Sequence, residues 1–230
     1  MKKKTVFQRV AQAAALLSTV CMLTACGGSS GPKVTIKLDG VEIPFEKTLQ
    51  TCIDGGLITT DYNGDEQQCE ISFGAREVSF ESVHLGTSSE PHRSEVTVML
   101  YNPESERKTA YDSKIMTINY SAATDNADQA PVLFNDIDFW GMTQEEAIAA
   151  LKEKGFEIED DDVDDEYHFV VFSGSDSVTV TIDFDLGSEF ENTASTASKK
   201  KVLEFDPDTY YVSGVKASMS SKLDIDFSGS

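Results

Sequence analysis

The strongest constraint on the fold is that the chain repeats itself. At a spacing near 100 residues, Gly56 and Leu57 recur as Gly155 and Phe156, Gly74 as Gly174, Val78 and Phe80 as Val178 and Val180, and Leu85 and Gly86 as Leu186 and Gly187. Further on, Val98, Tyr101 and Pro103 recur as Val202, Phe205 and Pro207, and Tyr111, Ser113 and Ile115 as Tyr211, Ser213 and Val215. Matches in this order predict a tandem duplication of one supersecondary unit. The two units are residues 34–121 and 132–222, joined by a polar linker over 122–131 and followed by a tail over 223–230.

Each unit shows the same local pattern. In the second, Thr143 followed by Glu146 is a capping box, Ala147, Ile148 and Leu151 form an apolar stripe, and Gly155 supplies a left-handed stop. In the first, Leu49, Cys52 and Ile53 repeat the stripe in a shorter helix from Thr48 to Gly55 or Gly56. The period then changes from helical to alternating. Val178, Val180, Ile182, Phe184 and Leu186 share one face of a strand and Thr179, Thr181, Asp183 and Asp185 the other, and Cys69, Ile71 and Phe73 predict a similar strand earlier. Gly174 sits where a hairpin turns. The class is α+β, each unit packing one helix on an antiparallel sheet.

Charge narrows the partners. The chain carries 19 basic and 40 acidic side chains, a net charge of −21. A nucleic-acid surface requires the opposite sign, so nucleic acid is not expected as a partner. The four cations of the first 25 residues, Lys2, Lys3, Lys4 and Arg9, precede an apolar run from Val10 to Ala25 that is shorter than a membrane span of about 20 residues, which is the pattern of a signal peptide.

That run ends in Leu23, Thr24, Ala25 and Cys26. Here the chain resembles bacterial lipoproteins, whose lipobox has an aliphatic residue, two small residues and then cysteine. The resemblance covers residues 1–26 and implies cleavage after Ala25 and a diacylglyceryl group on Cys26. Two or more acyl chains hold a protein on a membrane where one is marginal, at about 0.8 kcal/mol per buried methylene. Residues 26–33, rich in Gly and Ser, then form a flexible tether.

The segment from Gly141 to Phe156 also resembles the start of a PASTA domain, a cell-wall-binding module with a Gly-x-x-x-x-Glu-Ala helix followed by Leu and Gly. The later Gly-x-Val and Gln-x-Pro turn of that family is missing between Glu157 and Thr193.

Residues able to carry chemistry are few. Cys52 and Cys69 are the two thiols of the exported part. An even pair outside the cytosol predicts a disulfide between them, which would contribute about 3 kcal/mol by loop closure. The alternative is two separate buried thiols. Glu157 to Glu166 holds eight acids in ten residues, yet it lacks the glycine and terminal Glu of an EF-hand, and Glu66 spoils the same pattern at Asp61, Asn63 and Asp65. A solvated acidic loop is expected, with no metal or other cofactor.

His84, His92 and His168 fit no hydrolase or metalloprotease motif, so no catalytic residue is assigned and the chain is not expected to be an enzyme. His84 is expected on the outer sheet face. Trp140 is a candidate ligand contact, although a lone Trp beside Phe139 and Met142 also suits core closure.

Together these features predict a lipid-anchored protein on the extracytoplasmic face of the cell membrane. It would bind a protein or cell-envelope component without catalysis. The alternatives are a solute-binding lipoprotein of a transporter, and an envelope hydrolase whose site has no linear motif.

Overall fold

A computed structural model describes residues 31–61, 65–78, 81–88, 95–122, 131–163, 168–175, 178–190 and 205–219. The first half runs β1 (Ile36–Leu38), β2 (Val41–Glu42), α1 (Leu49–Asp54), β3 (Leu57–Thr60), β4 (Ser72–Phe73), β5 (Val83–Thr87), β6 (Val96–Tyr101), β7 (Lys108–Thr109) and β8 (Lys114–Ser121). The second half runs β9 (Val132–Phe134), α2 (Gln144–Glu153), β10 (Glu157–Val163), β11 (His168–Ser173), β12 (Val178–Leu186), α3 (Gly187–Phe190) and β13 (Tyr210–Met219). Helices packed with antiparallel sheets place the chain in the α+β class.

One sheet of eight strands spans both halves, in the order β10-β11-β12-β13-β8-β6-β5-β3. The halves meet at the last strand of each, where Gly214 to Ser218 pair antiparallel with Ser121 to Thr117. A three-stranded sheet, β2-β1-β9, joins them again through Ile36 opposite Phe134 and Leu38 opposite Val132. Strands β4 and β7 form a separate ribbon.

The order of strands reads alike from either edge, and local details follow it. Positive φ occurs at Asp39 and Gly40 and again at Asn135 and Asp136, at Glu46 and again at Gly141, and at Gly56 and again at Gly155. The helix N-caps Thr48 and Thr143 each bridge the last strand of their own half, at Lys114 and Tyr211. The β6·β8 and β12·β13 ladders each carry one irregularity, between Met99 and Leu100 and between Asp183 and Phe184.

The ladders place some of the sequence matches at different positions. Val98 faces Ile118 of β8 as Ile182 faces Val215 of β13, so the place of Val98 in the second half is held by Ile182, 84 positions later by subtraction. Val78 instead bridges Tyr101, and Phe80 and Val202 lie outside the described residues.

Helix α2 forms as its sequence predicts. The Thr143 hydroxyl accepts from the Glu146 amide at 3.3 Å, and the Glu146 carboxylate accepts from the Thr143 amide at 3.0 Å. Ala147 and Leu151 are fully buried, and Phe134 packs on Phe139 and Phe156 with ring centres 5.9 and 5.5 Å apart. In β12, Val178, Val180, Ile182 and Phe184 are buried while Asp183 and Asp185 are exposed. All of these apolar groups join one core together with Ile36, Leu49, Leu57, Ile115 and Ile118.

Two expectations are corrected. The strand through Cys69, Ile71 and Phe73 shrinks to Ser72–Phe73, because Gln67 and Cys69 bond to Thr59 and Tyr111 instead of to a continuous ladder. The acidic loop is a strand over Glu157–Val163, because its backbone pairs with β11; Asp164 to Glu166 lie outside the described residues.

Replacing Thr143 by Ala removes a cap and is expected to lower stability by about 1 kcal/mol. Thr48→Ala should change it by less than half as much, since Thr48 makes no side-chain cap bond. Leu151→Ala should cost about 2–5 kcal/mol by leaving a cavity. Urea denaturation of the three variants checks this ranking.

Candidate functional site

Alternation turns one side of the eight-stranded sheet into the core and leaves the other polar. On that outer side a single row crosses seven of the eight strands: Val171, Thr181, Lys216, Asn119, Thr97, His84 and Thr60 stand opposite one another in turn. Their chain neighbours Val180, Ile182, Val215, Ala217, Ile118, Tyr120, Val96, Val98, Val83 and Leu85 are all buried, which fixes the direction of the row. A second row, Ser173, Thr179, Ser218, Thr117 and Met99, lies beside it, but Thr117 and the Ser218 hydroxyl are buried, so the accessible polar side chains are chiefly those of the first row.

The surface is therefore dominated by short hydroxyl and amide side chains, with Lys216 near its centre. Asp183 lies one step along β12 and β13 from that lysine. Although the Asp183 side chain reaches solvent, partial desolvation by its surroundings pushes its carboxyl above the ordinary range, Asp185 pushes it further, and Lys216 opposes both.

At the β3 edge the row runs into a groove of about 320 Å³ lined by Thr59, Gln67, Cys69, Glu70, Val83 and His84 among others. The His84 Nδ1 lies 2.8 Å from a Glu95 carboxylate oxygen, which orients the ring. Thr59 is buried and donates its hydroxyl to the Gln67 carbonyl; the Gln67 amide donates to the Thr59 carbonyl at 2.9 Å. The Tyr111 hydroxyl lies 3.3 Å from that of Thr59 and accepts from the Cys69 amide at 3.0 Å. Chemically the groove offers hydrogen bonds to a small polar group, together with a partly accessible thiol.

The expected disulfide is not formed: Cys52 and Cys69 are separate thiols. Cys52 is fully buried on α1, and burial pushes its thiol up to about 12. Cys69 sits instead in the groove wall, held through its backbone by Tyr111 from 42 residues away.

Trp140 is partly exposed between buried Phe139 and left-handed Gly141, and its amide donates to Asp138 at 3.2 Å. It is not among the residues that line the groove. The PASTA-like residues Glu146, Ala147, Leu151 and Gly155 are occupied in capping, core packing and chain reversal.

Asp61 spends a carboxylate oxygen on the Asp65 amide at 3.0 Å. Among the described residues no group of three or more His, Cys, Asp or Glu could hold a metal. His84 stands on the outer face as expected. His168 contributes its backbone to β11, while Cys26, Asn63 and His92 lie outside the described residues.

Thr59, Tyr111 and the polar row were not singled out from the sequence. Tyr111 did appear among the repeat matches, and the Thr alternation in β12 was the one available sign of the row. No protein-family model, curated protein or solved structure matches the chain.

Under native conditions iodoacetamide should modify Cys69 and spare Cys52, as read by peptide mass. The unfolded Cys52 thiol ionises near 9 and the folded one near 12. Its contribution to stability is thus complete below about pH 9 and falls by about 1.4 kcal/mol per unit as pH rises towards 12. Cys52→Ala should lose this part of the alkaline slope in denaturation curves.

Proposed function

We propose that this protein is a bacterial lipoprotein anchored through Cys26 on the extracytoplasmic face of the membrane, where it binds a protein or cell-envelope component without catalysis. The anchor rests on the cationic start, the short apolar run and the Leu23-Thr24-Ala25-Cys26 sequence. Lipidation gives the compartment, and the polar sheet face supplies the binding surface.

The observation that carries the binding reading is the polar row from Thr181 through Lys216, Asn119 and Thr97 to His84. It extends across seven strands on an open sheet face, better suited to a macromolecular surface than to enclosing a substrate. We further propose that the two halves arose by duplication. The palindromic strand order and the recurring positive-φ positions support this reading. It also explains why the row is built from like residues, Thr97 and Thr181, on either side of the central pair Asn119 and Lys216. The groove at Cys69 and His84 favours a second reading, capture of a small polar solute for a transporter.

Cys26→Ala should shift the protein from the membrane to the soluble exported fraction and remove the lipid mass; full processing and membrane retention of the variant would contradict the anchor. Cross-linking in intact cells should give a defined adduct that Asn119→Arg abolishes without changing the thermal midpoint. An adduct unaffected by Asn119→Arg would contradict the face, and a small solute raising the midpoint would favour the second reading.

A further inference from the structure

The chain entering the fold from the tether is fastened to one corner of the second half. The Pro32 carbonyl accepts from the Ser175 amide at 2.7 Å, and the Lys33 carbonyl accepts from the Asn135 side-chain amide at 2.8 Å. The Thr35 amide donates to the Asn135 side-chain oxygen Oδ1 at 2.7 Å. Contact at this corner is close enough that a Cβ on Gly174 would lie 2.6 Å from Val34, and one on Gly31 would lie 2.7 Å from the Gly174 backbone. Both positions therefore need glycine for approach rather than for a special φ.

This fastening fixes where an anchor leaves the protein. Four residues lie between Cys26 and Gly31, and the five Cα–Cα steps keep the corner within about 18 Å of the anchoring residue whatever path the chain takes. From the same corner β12 runs from Val178 to Leu186, about 27 Å at the rise of a strand. Glu157 pairs with Ser173 beside the corner, whereas Asp161 and Asp162 pair with Val170 and Phe169, successively further from it. The acid-rich part of β10 thus lies towards the opposite end.

We infer that the protein meets an anionic lipid surface through the corner formed by Gly31–Val34 and Gly174–Ser175, with the Leu186 end of β12 and the acidic end of β10 directed away. The inference rests on the lipid-anchor reading above and adds the face presented to the bilayer. The fastened corner sets the distance, and repulsion of the carboxylates from anionic headgroups within a Debye length sets the direction.

The test uses the lipidated full chain purified from membranes and reconstituted in phosphatidylethanolamine–phosphatidylglycerol vesicles containing a nickel-chelating lipid. In a Cys69→Ser background, nitroxide labels are placed through Ser175→Cys or Lys154→Cys near the corner, and through Glu189→Cys or Asp208→Cys at the far end. Lys154 is exposed at the end of α2, three residues before Glu157, so it reports the corner even if Ser175→Cys disturbs it. Relaxation enhancement by the surface nickel should be several-fold larger at 175 and 154 than at 189 and 208. Equal or reversed enhancement on a preparation whose intact mass includes the lipid overturns the orientation alone. An intact mass without lipid overturns the anchor, and the orientation with it.

Discussion

The structure depends on one seam, the antiparallel pairing of Thr117–Ser121 with Gly214–Ser218. Each half supplies four strands to the large sheet, and without the seam each would present an unpaired inner strand with apolar neighbours such as Ile118, Val215 and Ala217 exposed beside it. The β1·β9 pairing closes the opposite layer in the same way, through Leu38 and Val132. Two half-cores thereby become one, and the helices of both halves pack onto it.

The seam also creates the surface on which the functional reading rests. Asn119 and Lys216 face one another across it, and the polar row extends from them through Thr97 on one side and Thr181 on the other. Neither half alone carries the full row. At the edge strands the two sides diverge. One ends in the groove with His84 and Cys69, while the other ends in the acidic strand β10, whose charge discourages edge-to-edge association.

Local chemistry was legible in the sequence; long-range register was not. The capping box at Thr143 and Glu146, the stripe ending at Gly155, and the alternation of β12 are set by interactions within a few residues, and each stands where the pattern placed it. Gly56 and Gly155, which match in the sequence, both take positive φ, whereas the ladder position of Val98 resembles that of Ile182 and not of Val202. The first half has its long connection between β3 and β5, and the second between β12 and β13, so the spacing shrinks and then recovers. A comparison at near-constant spacing passes straight across that shift. The run of charge over Glu157–Val163 predicts a solvated loop, yet pairing with β11 decides its backbone. Cys69 was placed on a strand facing Cys52, whereas the Tyr111 hydroxyl and the Thr59–Gln67 bonds draw it into the groove wall. No residue near Cys69 in the chain announces Tyr111.

Native-state hydrogen exchange of the amides in Thr117–Ser121 and Gly214–Ser218 tests most directly whether the halves share one sheet. The account predicts that the hydrogen-bonded amides on both sides of the seam exchange only through global unfolding, with opening free energies equal to that of the whole protein. Exchange at the seam through a lower-energy opening that leaves β3–β6 and β10–β12 separately protected would contradict it.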